Sequence, residues 1–133
     1  MPKIICIGEI LADFVPEGKG HILRPGGAPS NVAVNLARWG ADSAIISKTG
    51  DDFLGRFLTG FVKSNHVDVS CVYKIKGYKT GLVFVFLDKS GERDFTFYGH
   101  PSADTMLMPS EIKESVIKKC SILHFGSIST MYK

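Results

Sequence analysis

The residues with chemical promise are grouped early in the chain. Gly26-Gly27-Ala28-Pro29-Ser30-Asn31-Val32-Ala33 sets two glycines and a polar amide at the mouth of a helix. Free N–H groups at a helix start, approached through residues without a Cβ, suit a polar ligand. Asn31 offers both a donor and an acceptor, which is what reading a hydroxyl requires. The same residue types also build ordinary turns and caps, so both readings stand at this point. Asp51 and Asp52 precede an apolar run, a place where acids cap a helix and meet its dipole. The histidines (His21, His66, His100, His124) and cysteines (Cys6, Cys71, Cys120) show no ligand spacing, and no protein-held metal is expected.

Several elements must position these groups. Ile4 to Ile7 is a β-branched run closed by Gly8, a buried strand. A Gly/Pro-rich stretch from Pro16 to Pro29 follows. Val32, Ala33, Leu36, Ala37 and Trp39 then recur at helical spacing, and Gly40 marks the stop. Ala44 to Ser47 reads as a second strand, and Phe53 to Val62 carries a clean helical stripe. Strand, helix, strand, helix predicts parallel βαβ construction.

The pattern changes further on. Leu82 to Leu87 and Phe95 to Tyr98 flank a polar turn, which predicts a hairpin. Leu82 to Leu87 has no alternation, so both of its faces are expected to be covered, by a ligand, a partner chain or both. Pro109 to Lys119 reads as a helix and Ser121 to Phe125 as a strand, followed by Gly126-Ser127.

Composition narrows the function classes. The 133 residues are 44% hydrophobic and 22% charged, which predicts a globular domain with its own core. The net charge of +3 comes from scattered lysines, so no nucleic-acid stripe is expected. No run is long enough to span a bilayer and no secretory leader is evident, which predicts a cytoplasmic protein with reduced, buried thiols and no membrane partner. A dinucleotide-binding domain is disfavoured, because Gly8-Glu9-Ile10-Leu11-Ala12-Asp13 lacks the three-glycine turn that a pyrophosphate needs.

The spaced pattern as a whole is more specific than any one motif. Gly8-Glu9 with Asp13, then Gly26-Gly27 with Pro29, Asn31 and Ala33, then Gly40, Gly50-Asp51-Asp52 and Gly55, resembles the N-terminal signature of the PfkB/ribokinase carbohydrate kinases. Pro101-Ser102-Ala103-Asp104 and Leu123-His124-Phe125-Gly126-Ser127-Ile128-Ser129 are similar to the corresponding fructokinase segments. The resemblance covers nearly the whole chain.

That resemblance implies an α/β fold, a ribokinase-like (Rossmann-like α/β/α) sandwich with a small β-sheet lid, incomplete at the C-terminus. Residues 1–133 would form the N-terminal part of a sugar kinase domain, with a lid hairpin at about 80–99. Asp13 matches the carboxylate that binds sugar hydroxyls. Gly26, Gly27 and Asn31 match the contacts at the first helix, and Phe97 would lie against the sugar from the lid. ATP and Mg2+ are the implied cofactors, and the implied partners are a sugar such as fructose and a second copy docked through the lid, or a complementing C-terminal piece.

Three departures qualify the match. The segment from Asp13 to Gly26 is short for fructokinases, so the lid is expected to lack a strand or edge. Gly99 follows Phe97-Tyr98 where many relatives carry arginine, an anion-binding fork, which favours a neutral hexose. The family's Asp-Thr-x-Gly-Ala-Gly-Asp-like run, with its catalytic base, is absent, so this chain carries no assignable catalytic residue and is expected to be inactive alone. The alternative is a non-catalytic sugar-binding or dimerisation module. Half of a doubly wound sheet also leaves an open edge, which predicts marginal stability or association.

Overall fold

The computed structural model describes residues 3–126. Its elements run β1 (Lys3–Ile7), β2 (Leu11–Glu17), β3 (Gly20–Gly26), α1 (Ala28–Arg38), β4 (Asp42–Gly50), α2 (Phe53–Ser64), β5 (Asp68–Ile75), β6 (Leu82–Leu87), β7 (Arg93–Tyr98), α3 (Glu114–Ile117) and β8 (Ile122–Phe125). The Ser127-Ile128-Ser129 part of the last motif lies outside the described residues.

One sheet is parallel, in the order β5-β4-β1-β8. From β1 the chain winds outward through β4 to β5, with α1 and α2 on the same face, as right-handed crossovers in one direction require. It then returns past β1 to β8, so α3 falls on the opposite face. The β1 side chains divide between the two cores. Cys6 packs with Ala33, Val34, Leu58 and Val62 under the helices, whereas Ile5 packs with Ala44 and Ile46 toward Val116 and Ile117. Among the described residues no helix is long and apolar enough to cross a membrane.

A second sheet, β3-β2-β6-β7, stands on the C-terminal ends of the first. Here the sequence reading needs correction. The Pro16–Pro29 stretch is not all loop: its first half belongs to a hairpin, and this sheet has four strands. Two prolines hide it: Pro16 in β2 and Pro25 in β3. β2 pairs with β6 only over Ala12, Asp13 and Phe14, which leaves Pro16 beyond that ladder, and Pro25 lies on the edge strand. Proline, lacking an N–H, is tolerated at both kinds of place.

Two other expectations also change. No continuous helix spans 109–119; a 3-10 turn at Pro109–Glu111 is followed by the single turn of α3. Glu111 explains the break. Its carbonyl accepts the Tyr73 hydroxyl at 2.8 Å, and its carboxylate pairs with Lys48 at 2.7 Å and accepts from Met108 N at 2.8 Å, so it is anchored to two strands and caps a turn that stops there. In β6, Val83 and Val85 are buried and Phe84 joins an aromatic cluster, but Phe86 and Leu87 at the outer end are 42% and 55% exposed. Coverage of both faces therefore holds only at the root of the hairpin.

Candidate functional site

The strand order places a topological switch at β1, since the chain leaves it toward β4 and later returns on its other side as β8. The crevice outside the carboxyl ends of such strands is where open α/β sheets bind ligands. β1 leads there into Gly8 and Glu9, and β8 into Gly126. Glu9 is only 2% exposed, and its Oε1 lies 3.9 Å from where a Cβ on Gly126 would stand.

The second sheet roofs this crevice. Its registers pair Asp13 with Arg24, Asp13 with Val83, and Val83 with Phe97. Paired residues project to the same side, so these four share one face. Phe14, Leu23 and Phe84 take the other, where Phe14 and Phe84 stack with ring centroids 4.9 Å apart. Asp13 is half-buried, and burial raises its pKa above the usual carboxylate value. Its carboxylate accepts no hydrogen bond from any described residue.

The glycines are explained by what stands beside them. A Cβ on Gly26 would collide with the Asp13 carboxylate. Gly27 is the N-cap of α1 at φ 100°, a left-handed conformation, and a Cβ on it would strike the Glu9 carbonyl oxygen. Asn31 begins the helical ladder by donating its backbone N–H to the Gly27 oxygen at 2.8 Å. Its side chain is exposed and bonds to no described residue. Asp13, Gly26, Gly27 and Asn31 are thus brought together around the start of α1. Phe97, 50% exposed, lies two strands from Asp13 on the same face, about 10 Å away by strand spacing.

A small cleft at the sheet's root joins Phe97 to residues given no role in the sequence reading, among them Glu9, Ser102 and Asp104. Ser102 Oγ donates to Asp104 Oδ1 at 2.6 Å. Burial raises the Asp104 pKa, Ser102 opposes that, and the nearby Glu9 charge adds to it. The signal in the sequence was the resemblance of Gly8-Glu9 and Pro101-Ser102-Ala103-Asp104 to family segments, which carried no role for these side chains. Asp52, by contrast, has a structural task. Its carboxylate caps α2 by accepting from Gly55 N at 2.8 Å, and it also accepts from Thr80 N at 2.9 Å and Thr80 Oγ1 at 2.7 Å.

Comparison with known proteins now bears on this geometry. The profile of the pfkB family carbohydrate kinases matches residues 1–132. The chain is 46% identical to probable fructokinase-7 of Arabidopsis thaliana and 43% identical to fructokinase-2 of Solanum lycopersicum. Each match covers 95% of this chain, but only 39% and 41% of the respective relative. Among solved structures, an uncharacterized sugar kinase of Pyrococcus horikoshii superposes with a TM-score of 0.87 at 33% identity, over 96% of this chain and 43% of that one. A fructokinase of Vibrio cholerae in fructose-, ADP- and calcium-bound form gives 0.80 at 37% identity, over 86% and 37%. The fold is therefore ribokinase-like, and the chain spans about two-fifths of the length of these relatives.

Proposed function

We propose, for a chain that belongs to the pfkB family of carbohydrate kinases, that it is the sugar-binding N-terminal part of an ATP-dependent kinase acting on a sugar hydroxyl, with fructose or a related neutral hexose as substrate. The observation that carries this reading is Asp13, a half-buried carboxylate with no donor of its own, beside a helix start that presents Asn31. Hydroxyls of a sugar are the donors such a group lacks. Gly26 makes room for the Asp13 carboxylate and Gly27 for the turn against Glu9, which sets the backbone at the start of α1 against the sugar, and Phe97 in the four-stranded lid lies over the apolar face of the ring. This is a role of binding and orientation.

Phosphoryl transfer needs a base for the attacking hydroxyl and positive charge at the phosphates. The fructokinase of Xylella fastidiosa has been solved with bound ATP. Here the sequence has no Gly-Ala-Gly-Asp run, and the described residues include no cluster of three or more His, Cys, Asp or Glu able to hold a metal. These residues do not fit ATP with its cation, and no transfer step is assigned to them.

A second copy of the chain is the proposed partner. On the lid face away from Asp13, His21, Phe84, Phe86 and Tyr98 form an exposed aromatic cluster. It continues into an apolar groove of about 350 Å3 beside Phe53 and Leu54. Such a continuous patch suits a self-complementary interface. The test of function is ADP release by the 133-residue chain with magnesium-ATP and fructose, ribose or 2-keto-3-deoxygluconate, alongside a fructose titration. Fructose binding without turnover is expected. Turnover that survives repurification, or no fructose binding, would refute this reading.

A further inference from the structure

The root of the lid carries polar groups that the sugar contacts above do not use. The cleft there is lined by Glu9, Phe97, His100, Ser102 and Asp104, with Leu11 and Gly81 closing its side, and among the described residues no lysine or arginine contributes to it. Ser102, 7% exposed, is fixed from two directions: Thr105 Oγ1 donates to its carbonyl at 2.7 Å, and Ala103 N donates to Lys79 O at 2.8 Å. Ser102 in turn holds Asp104 Oδ1.

We propose that Asp104, oriented by Ser102, is a second hydroxyl-binding carboxyl of the sugar cleft, and that with Glu9 it selects neutral sugars against sugar acids and sugar phosphates. This rests on the sugar-binding reading of Asp13 and Asn31. Three relations connect Asp104 to that site. A Cβ on Gly81 would stand 3.0 Å from Asp104 Oδ1 and collide with Leu11, so the carboxyl abuts the segment that enters β6, beside the first residue of the strand that carries Asp13. Glu9 joins Asp104 to the start of α1, since a Cβ on Gly27 would strike its carbonyl oxygen and its charge acts on Asp104. Phe97 lines the same cleft.

The chemistry follows from acceptor count and charge. A carboxylate offers about four lone-pair sites. Ser102 and Asp104's own backbone amide occupy two of them, which leaves room for a ligand hydroxyl. Two carboxyls in one enclosed cleft welcome hydroxyl donors and repel an anionic ligand group, and repulsion grows as water is excluded. His100 also lines the cleft and acts on Asp104 against the Glu9 charge. Arg24 lies outside this lining, directly across the ladder from Asp13 on the same face.

The test is a titration of the full 133-residue chain with fructose, 2-keto-3-deoxygluconate and fructose 6-phosphate, followed by the amide NMR shifts of Gly27 and Asn31. Wild type, Asp104→Asn, Ser102→Ala and Asp13→Asn are compared. Asp104→Asn is expected to weaken fructose binding on the order of 10-fold, as loss of one charged acceptor implies. It should also narrow the preference for fructose over the two anionic ligands by at least a similar factor. Ser102→Ala, which keeps the carboxyl but frees it, should show a smaller loss of the same kind and serves where Asp104→Asn does not fold. Fructose binding lost in Asp13→Asn but unchanged, with unchanged preference, in the Asp104 or Ser102 variant would overturn this inference alone. Absence of fructose binding by wild type would overturn it together with the sugar-binding reading.

Discussion

Replacing Asp13 by asparagine should move stability and binding in opposite directions. The wild-type carboxylate is half-buried and receives no hydrogen bond from a described residue, so its charge is carried at a cost in the folded state. Measured costs of burying an unpaired polar group run from about 1 to 3 kcal/mol, and partial exposure puts Asp13 at about 1 kcal/mol. Asp13→Asn is therefore expected to raise Tm by about 4 °C for a chain of this size. Fructose binding should fall instead. Two hydroxyl bonds to a charged acceptor, at about 1.5 kcal/mol each, sum to about 3 kcal/mol, or roughly 100-fold in Kd. pH gives an independent check. Because burial raises the folded pKa of Asp13, the folded state binds more protons than the unfolded one between the two values. Wild-type stability from this group is thus complete below the unfolded pKa and declines as pH rises through the folded one. Urea melts at several pH values should show the two proteins converging in acid and the variant more stable at neutral pH. A variant destabilised at neutral pH, or one that keeps wild-type affinity for fructose, would refute the reasoning.

Asp52→Ala removes a helix cap and two bonds to Thr80, and should destabilise the fold by about 2–3 kcal/mol in urea melts at pH 7. Although burial works against ionisation there, the bonds from Thr80 and Gly55 hold the Asp52 pKa below the usual value. Its contribution is therefore present above the unfolded pKa and lost as pH falls through the folded one, so the gap between wild type and Asp52→Ala should shrink in acid, with a slope opposite in sign to that of Asp13. Burial pushes the Cys6 thiol up to about 11. In a timed reaction with a thiol reagent at pH 8, the partly exposed Cys71 and Cys120 should be consumed first and Cys6 only on unfolding; equal rates for all three would contradict the burial of β1.

The elements that the sequence announced are those whose periodicity is undisturbed. β1 is a plain apolar run and α2 an uninterrupted stripe, and both stand where expected. The β2–β3 hairpin was hidden because each strand contains a proline and displays Asp13, Glu17, His21 or Arg24 to solvent or the cleft. β5 was unread for a related reason, since Asp68, Ser70 and Lys74 interrupt it. The helix expected over 109–119 failed through tertiary contacts with Lys48 and Tyr73, which local spacing cannot reveal. Asp13, Gly26, Gly27 and Asn31 became legible only through their mutual spacing, as each alone is compatible with turn chemistry. Glu9 and Asp104 stood only within segments that resemble the family, and their proximity was not legible, because it comes from the bond of Ala103 N to Lys79 O that docks the turn after β7 against the lid's root.

The way the lid joins the body has a mechanical consequence. Ala12 N bonds Gly81 O, Ala103 N bonds Lys79 O, and Thr80 is tied to both Asp52 and Gly50, so all these crossings are clamped close together at the lid's root. A cantilever held this way does not swing about a pivot. It bends, and its compliance increases toward the free ends at Gly18 and Gly91. Asp13 and Phe97 sit near the clamped end and keep their spacing while the tips deflect. On the proposed reading, admitting a sugar would depend on the stiffness of the outer strands, with the spacing of Asp13 and Phe97 almost constant throughout.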